Sequence, residues 1–461
     1  MIRYHARWVL PISAPPIENG TVTVSDGRIG YVGPRAGAPR GDDRDLGDAL
    51  LMPGLVNAHS HLELTLMRGF LEDLDFASWI MRLNGVKWAV LDRASMLDAA
   101  RLGLVEGIRN GITAYADTCD SGVAFDAMIE AGVRGVMYQE VFGPDPSQCA
   151  TSLAELRAKV GAFRTRETSL VRLGVSPHAP YTVSDPLYAA VAEYALRESL
   201  PVAVHIAESD VERQLVEQGA GVFAAGLRRR GIAVTPRARS SIALLERHRV
   251  LETRPLLIHC VRVDDDDIDV IARAQCPVAH CPISNAKLGH GTSPLLELLD
   301  AGITVGIGSD SVASNNRMDM LEESRAAILA QRARVARHDA LCAKDALYLA
   351  TLGGARALGF DAEIGSLDAG KSADLAAFPL DPSVMPIHDP EATAIFSLPG
   401  VPAYLVAVAG QELVRDGKIL RVDPALPSRV EATAEKMREW AKQSDTSARE
   451  PTGNSRSANL S

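Results

Sequence analysis

Apolar residues along this chain fall into short runs of strand length separated by longer stretches of helical spacing, from about residue 50 to about residue 310. Eight runs read as buried strands: 50–59 (LLMPGLVNAH), 112–118 (ITAYADT), 133–142 (VRGVMYQEVF), 171–178 (VRLGVSPH), 201–208 (PVAVHIAE), 255–260 (PLLIHC), 276–281 (CPVAHC) and 304–310 (TVGIGSD). Strands that alternate with helices make βα units and a parallel sheet, so the expected class is α/β. Eight of them match a (β/α)8 barrel, which typically takes about 250 residues, although a doubly wound open sheet could use the same strands.

The two ends read differently. TVTVSDGRIGYVG alternates on either side of an Asp-Gly turn, and IGSLDAGKSADLAAF, AYLVAVAGQELV and RDGKILRV repeat that style near the other end. The expected organisation is a small composite β-sandwich from residues 1–50 plus 363–424, a catalytic barrel over 51–362, and a C-terminal helix and disordered tail over 425–461. Within the last, SRVEATAEKMREWAK has the pattern of one surface helix, and QSDTSAREPTGNSRSANLS is too polar to pack and should be mobile. The acidic run Asp264 to Asp267 precedes IDVIARA and reads as a helix N-terminal cap, not a calcium site.

Of the 461 residues, 47% are hydrophobic and 23% charged, enough apolar material for a large core and too much for a disordered chain. The net charge of −10, with no long basic run, disfavours a nucleic-acid partner. No run of 18 uninterrupted apolar residues and no signal-peptide pattern is present, so the expected protein is cytoplasmic with no membrane partner. The six cysteines are scattered without a CxxC pair, which points away from a disulfide scaffold or a thiolate zinc site.

Polar residues recur at one end of the apolar strands. His59 and His61 close the first, His178 the fourth, His205 the fifth, His259 the sixth, His280 the seventh and Asp310 the eighth. In a barrel those ends share one face, so residues distant in sequence converge. His59 and His61 lie two apart, which puts both imidazoles on one side of an extended strand while Ser60 points away. With His205 and Asp310 they offer three nitrogens and a hard oxygen, a ligand set for zinc or ferrous iron. Glu208, three residues after His205, is placed to reach water on such an ion without ligating it.

PGLVNAHSHLELT resembles the strand-one motif of the amidohydrolase superfamily, and HIAE, IHC, HCPISNAKLG and GIGSDSVASNN resemble later motifs of its aminohydrolase branch, in the family's order. The resemblance runs from about residue 20 to about residue 420. It implies a barrel flanked by a composite β-sandwich, with metal ligands at His59, His61, His205 and Asp310. Two-metal members bridge their ions with a carboxylated lysine on the fourth strand; VRLGVSPHAPY has none, so one divalent ion is expected, zinc before iron. By the same resemblance Glu208 shuttles protons, His259 orients the attacking water and polarises the reacting centre, and Asp310 both ligates and accepts a proton. His178 matches a histidine that contacts substrate beyond the ring.

The implied activity is hydrolytic deamination of an adenine-type nucleoside, with release of ammonia. Aminodeoxyfutalosine, S-adenosylhomocysteine, methylthioadenosine and adenosine are the substrate candidates. HSHLEL, MRGF, FASWI and SDSVASNN lean toward the first. Glu63 faces the pocket or supports the ligands from behind, and Trp79 and Trp88 stack on a purine or pack a lid helix within the segment from Arg68 to Leu91. His280 and His290 lie near the pocket without being assigned as ligands, and Asn285 and Lys287 carry no assignment. The expected partner is a small molecule, an amino-substituted heterocycle or nucleoside; a homodimer is compatible with the resemblance. A hydrolase of a halogenated or amino-substituted triazine or of a cyclic amide is the alternative, and a non-catalytic barrel module the third reading.

Overall fold

The computed structural model describes residues 1–449. Its strands, in chain order, are β1 (Ile2–Val9), β2 (Ile17–Ser25), β3 (Arg28–Pro34), β4 (Asp42–Asp45), β5 (Ala49–Pro53), β6 (Leu55–Ser60), β7 (Ile112–Cys119), β8 (Arg134–Val141) and β9 (Val171–Pro177). They continue as β10 (Ala203–Ile206), β11 (Leu256–His259), β12 (Val278–His280), β13 (Val305–Ile307), β14 (Leu375–Pro379), β15 (Leu405–Val408), β16 (Gln411–Arg415) and β17 (Lys418–Ile419).

Strands β6 to β9 pair in parallel in sequence order, and β10 to β13 do the same. Two seams join these sheets. At one, Val175 bridges Val202 in parallel and the His205 amide donates to the His178 carbonyl at 2.9 Å. At the other, Ser60 bridges Asp310 in parallel and the Asp310 amide donates to the His59 carbonyl at 2.9 Å. Parallel pairing sends the C-terminal ends of all eight strands to one side, so the histidines that end them are gathered there.

Side chains alternate along these strands with the period of two that pleating requires. Val56, Ala58, Ala114, Ala116, Val136, Tyr138, Ala203, Ile258 and Ala279 form an inner cluster of mostly small residues. Residues of the opposite parity, among them Leu55, Tyr115, Met137, Leu173 and Leu257, pack outward in the main core with helices such as Arg93–Arg109 and Asp185–Glu198. A third cluster lies under the helix Phe76–Val90, which starts at Asp75, whose carboxylate accepts from the amides of Ala77 and Ser78 at 3.1 Å.

Both chain ends contribute to one nine-stranded sheet, ordered β17-β16-β15-β14-β5-β1-β2-β3 with β4 on β1. Antiparallel β5 and β14 join the N-terminal strands to the C-terminal ones. The two Asp-Gly turns behave as read: Asp26-Gly27 (φ 52° and 75°) links β2 to β3, and Asp416-Gly417 (φ 50° and 72°) links β16 to β17.

The run 50–59 is two strands, not one. It breaks at Gly54, where a Cβ would sit 2.1 Å from the Thr113 hydroxyl, so β5 stays with the terminal sheet and β6 begins the parallel one. Several other runs are trimmed at their ends, which leaves His178, Glu208 and Asp310 just beyond the strands, while β6 runs one residue past its predicted end to Ser60, next to His61. Asp264 caps the helix Asp265–Ala274 by accepting from the Asp267 amide at 2.8 Å, as the acidic run suggested. The C-terminal helix is longer than its pattern indicated, spanning Leu426–Arg449. It covers the first part of the segment expected to be unpacked, and the rest of that tail, 450–461, lies outside the described residues. Among the described residues no helix is long and apolar enough to cross a membrane.

Arg134, at the start of β8 and almost fully buried, ties the parallel strands to the C-terminal segment. Its guanidinium donates to Asp374 at 3.1 Å, Glu363 at 2.7 Å and the Ser372 hydroxyl at 3.1 Å. Asp374 is just as buried. Arg134→Met would leave that carboxylate without its cation, with only the Ser372 hydroxyl and the Ala409 amide still donating to it, and removing one partner of a buried pair costs about 3–5 kcal/mol. The expected outcome is a marked fall in thermal midpoint, partly restored in Arg134→Met/Asp374→Asn, whose neutral amide still accepts; an unchanged midpoint for the single variant would contradict the linkage.

Candidate metal centre and active site

Four side chains meet where the seam between β13 and β6 joins the strand ends. His59 Nε2 lies 3.1 Å from Asp310 Oδ1, and His61 Nε2 lies 3.6 Å from that oxygen and 3.2 Å from His205 Nε2. The His205 Nδ1 sits 3.2 Å from the backbone carbonyl of His178, an acceptor, so Nδ1 carries the proton and Nε2 presents a lone pair. Burial disfavours the imidazolium form in all three: it pulls His61 down to about 4 and lowers His59 and His205 as well. Kept neutral, each ring can present one nitrogen as a lone-pair donor, and His59, His61 and His205 with Asp310 Oδ1 beside them fit one divalent ion.

Asp310 is prepared for that role. Its Oδ2 accepts from the Ser284 hydroxyl at 2.5 Å and the Ser314 hydroxyl at 3.0 Å, leaving Oδ1 toward the histidines. Burial alone would raise its carboxyl, but the contact with His59 outweighs it and holds Asp310 well below the usual carboxylate range. Two site residues have left-handed backbones, His259 at φ 80° and Asp310 at φ 56°. Such conformations cost on the order of 1–3 kcal/mol each and persist where the surroundings enforce them. Close approach of the strands adds a further requirement: a Cβ on Gly308 would lie 2.9 Å from the backbone nitrogen of His59.

Glu208 stands beside this cluster, its Oε1 3.6 Å from His259 Nε2 and 3.3 Å from His290 Nε2. Burial would raise its carboxyl, yet His259 and His290 bring it below the ordinary value, so it is ionised and able to take a proton. The loop carrying it is pinned by Glu212, which accepts from the amides of Ala207 at 2.8 Å and Glu208 at 3.1 Å. His259 Nδ1 is 3.0 Å from Asn285 Oδ1, which orients the ring with Nε2 toward the site.

The cluster opens into a cavity of about 400 Å³, a size that suits a nucleoside or similar heterocycle. The helix Phe76–Val90 forms one wall. Trp79 lines the cavity while packing near Phe76, with ring centroids 6.3 Å apart and planes at 22°. Trp88 sits at the rim and is 80% exposed. His178 reaches the cavity with Nε2, its Nδ1 being held by the Thr182 hydroxyl at 2.8 Å. Glu63 also lines the cavity, but its carboxylate is anchored by Lys87 at 2.6 Å, the Ser121 amide at 3.1 Å, the Cys119 thiol at 3.1 Å and the Ser121 hydroxyl. Against the burial that would raise it, the Lys87 ammonium holds Glu63 down at about 2.

Sequence reasoning gave no role to several residues around the site. Ser284, Asn285 and His290, which contact Asp310, His259 and Glu208, all fall in HCPISNAKLGH, and that shared motif was the available signal. Ser314, which contacts Asp310, and Lys87, which contacts Glu63, gave none. Lys287 bonds Glu72 at 2.8 Å and Asn316 at 3.0 Å, fastening the loop before the wall helix. His280 is buried away from the cavity.

The chain is 34% identical over 424 residues to the 5-methylthioadenosine/S-adenosylhomocysteine deaminase of Moorella thermoacetica, covering 90% of this chain and 94% of that protein. It is 34% identical over 416 residues to the 5'-deoxyadenosine deaminase of Methanothermobacter thermautotrophicus, covering 88% and 92%. Its fold matches an adenosine deaminase from Xanthomonas campestris solved with bound zinc, with a TM-score of 0.82, 30% identity and coverage of 96% and 98%. Residues 50–414 match the model of the amidohydrolase family. The chain belongs to the amidohydrolase family.

Proposed function

We propose that this protein is a metal-dependent aminohydrolase that deaminates an adenine-type nucleoside and releases ammonia. The observation that carries the reading is the convergence of His59, His61, His205 and Asp310, with Glu208 and His259 beside them, at the floor of a cavity walled by aromatic residues. The named activities of the relatives from Moorella and Methanothermobacter support it. Zinc is the favoured cation, supported by the three-imidazole, one-carboxylate donor set and by the zinc in the Xanthomonas protein. The same reading takes the eight parallel strands as a closed (β/α)8 barrel and the strands of the two chain ends as a composite β-sandwich, with the changeover at Gly54.

The chemistry a divalent cation supplies when bound here is Lewis acidity, which lowers the pKa of water toward about 7. The remaining work belongs to the protein. Glu208 takes the first proton of the attacking water and hands it to the ring nitrogen next to the amino-bearing carbon, while the oxygen adds to that carbon. His259, held by Asn285, turns Nε2 toward the site and positions the water. Asp310, steadied by Ser284 and Ser314, takes the second proton and returns it to the amino group. The carbon–nitrogen bond then breaks, ammonia leaves and the ring carbon becomes a carbonyl. His178 and Trp79 hold the ring in the cavity, and Trp88 closes over it at the rim.

Two measurements test this. Zinc-loaded protein offered 5'-deoxyadenosine, methylthioadenosine, S-adenosylhomocysteine, aminodeoxyfutalosine and adenosine should release ammonia from at least one. Release from none, with chloride from a chlorotriazine instead, would replace the reading by the triazine alternative. Glu208→Gln should lower kcat by roughly 10²–10⁴-fold, the usual contribution of a general acid–base group, with bound metal unchanged. Near-parental turnover in that variant would remove Glu208 from the proton path.

A further inference from the structure

Glu140 lies near the end of β8, two residues after Tyr138 and four after Val136, both of which face the inner cluster. Period-two alternation therefore aims its side chain inward at the end where the metal donors gather. The residue lines the cavity and is only 6% exposed, and its Oε1 has no hydrogen-bond partner. His178 Nε2 lies 3.9 Å from that oxygen, beyond hydrogen-bond reach. A buried carboxyl oxygen left without a partner is costly, and one that faces a cavity is available to whatever fills it.

Three carboxyls, Glu63, Asp120 and Glu140, share this wall, and the two ammonium groups near them are engaged away from Glu140: Lys87 pairs with Glu63 at 2.6 Å and Asp120 at 3.6 Å, and Lys159 with Asp120 at 3.2 Å. Burial pushes the Glu140 carboxyl up, and its partnerless Oε1 offers an acceptor to an O–H or N–H that enters the cavity. Glu140, His178 and His205 do lie close enough to suggest a second cation site. His205 has no donor to spare for it, however, since Nδ1 faces the His178 carbonyl and Nε2 faces His61.

We infer that Glu140 is a specificity-determining residue whose free carboxyl oxygen accepts a hydrogen bond from a donor group, hydroxyl or amine, that the substrate carries beside the ring under attack. The inference rests on the aminohydrolase reading for its choice of ligands. It adds that the natural substrate carries a hydrogen-bond donor at this position.

The test compares metal-loaded parent, Glu140→Leu and Glu140→Gln by calorimetric binding and by ammonia release. One ligand pair, adenosine against its 2'- and 3'-deoxy forms, removes a hydroxyl donor; the other, 2,6-diaminopurine riboside against adenosine, adds an amine donor. The parent should favour the donor-bearing member of one pair by at least about tenfold, because a site built around a hydrogen bond rejects ligands that lack it. Glu140→Leu should abolish that preference while leaving the donor-poor member's kcat/KM within about twofold. Glu140→Gln should retain part of it, since its carbonyl still accepts. The pair that responds identifies the donor as hydroxyl or amine. No preference in the parent, or an equal loss for both members in Glu140→Leu, overturns the inference. Binding with the expected preference but no ammonia from any ligand upholds Glu140 and sinks the deaminase reading instead.

Discussion

The crowding of three imidazoles and a carboxylate at the seams between the two parallel sheets is the constraint on which the rest of this structure depends. His59–Asp310, His61–Asp310 and His61–His205 lie 3.1–3.6 Å apart, and two interstrand hydrogen bonds, from Asp310 to the His59 carbonyl and from His205 to the His178 carbonyl, bring their strands together. The same bonds join the two parallel sheets. The act that completes the strand pairing is thus also the act that assembles the site.

Around that centre the protein supplies fixed polar groups in place of water. Ser284 and Ser314 hold Asp310, Asn285 orients His259, and Glu212 pins the loop of Glu208. Groups oriented before substrate arrives need no reorganisation during reaction, and that is where most electrostatic catalysis originates. The left-handed backbones of His259 and Asp310 show strain held in place by this surrounding network. Away from the site, Arg134 with Asp374 and Glu363 does comparable work for the fold, joining the parallel strands to the C-terminal segment.

How much of this was legible in the sequence follows from the range of the interactions. Strand identity, the two Asp-Gly turns and the Asp264 cap rest on local patterns, and each could be read directly. The His59 and His61 pair was legible because two-residue spacing in a strand has one geometric outcome. The break at Gly54 was not, because it depends on Thr113, a residue from the next strand, occupying the space a side chain would need. The extra length of the C-terminal helix escaped for a related reason: composition marks a polar segment as unable to form a core, yet such a segment can continue a helix already anchored by Arg429 on Asp98. Glu140 and Lys87 are single charged residues inside apolar or amphipathic runs. Only the folded wall shows that they meet Glu63 and His178.

The central claim is most directly tested by X-ray absorption at the metal edge of the zinc-loaded protein. The account predicts a first shell of three imidazole nitrogens and carboxylate oxygen at about 2.0–2.2 Å, with one ion per chain and loss of one nitrogen in His205→Ala. A shell containing sulfur, which would scatter at about 2.3 Å, or a spectrum unchanged in His205→Ala, would contradict it.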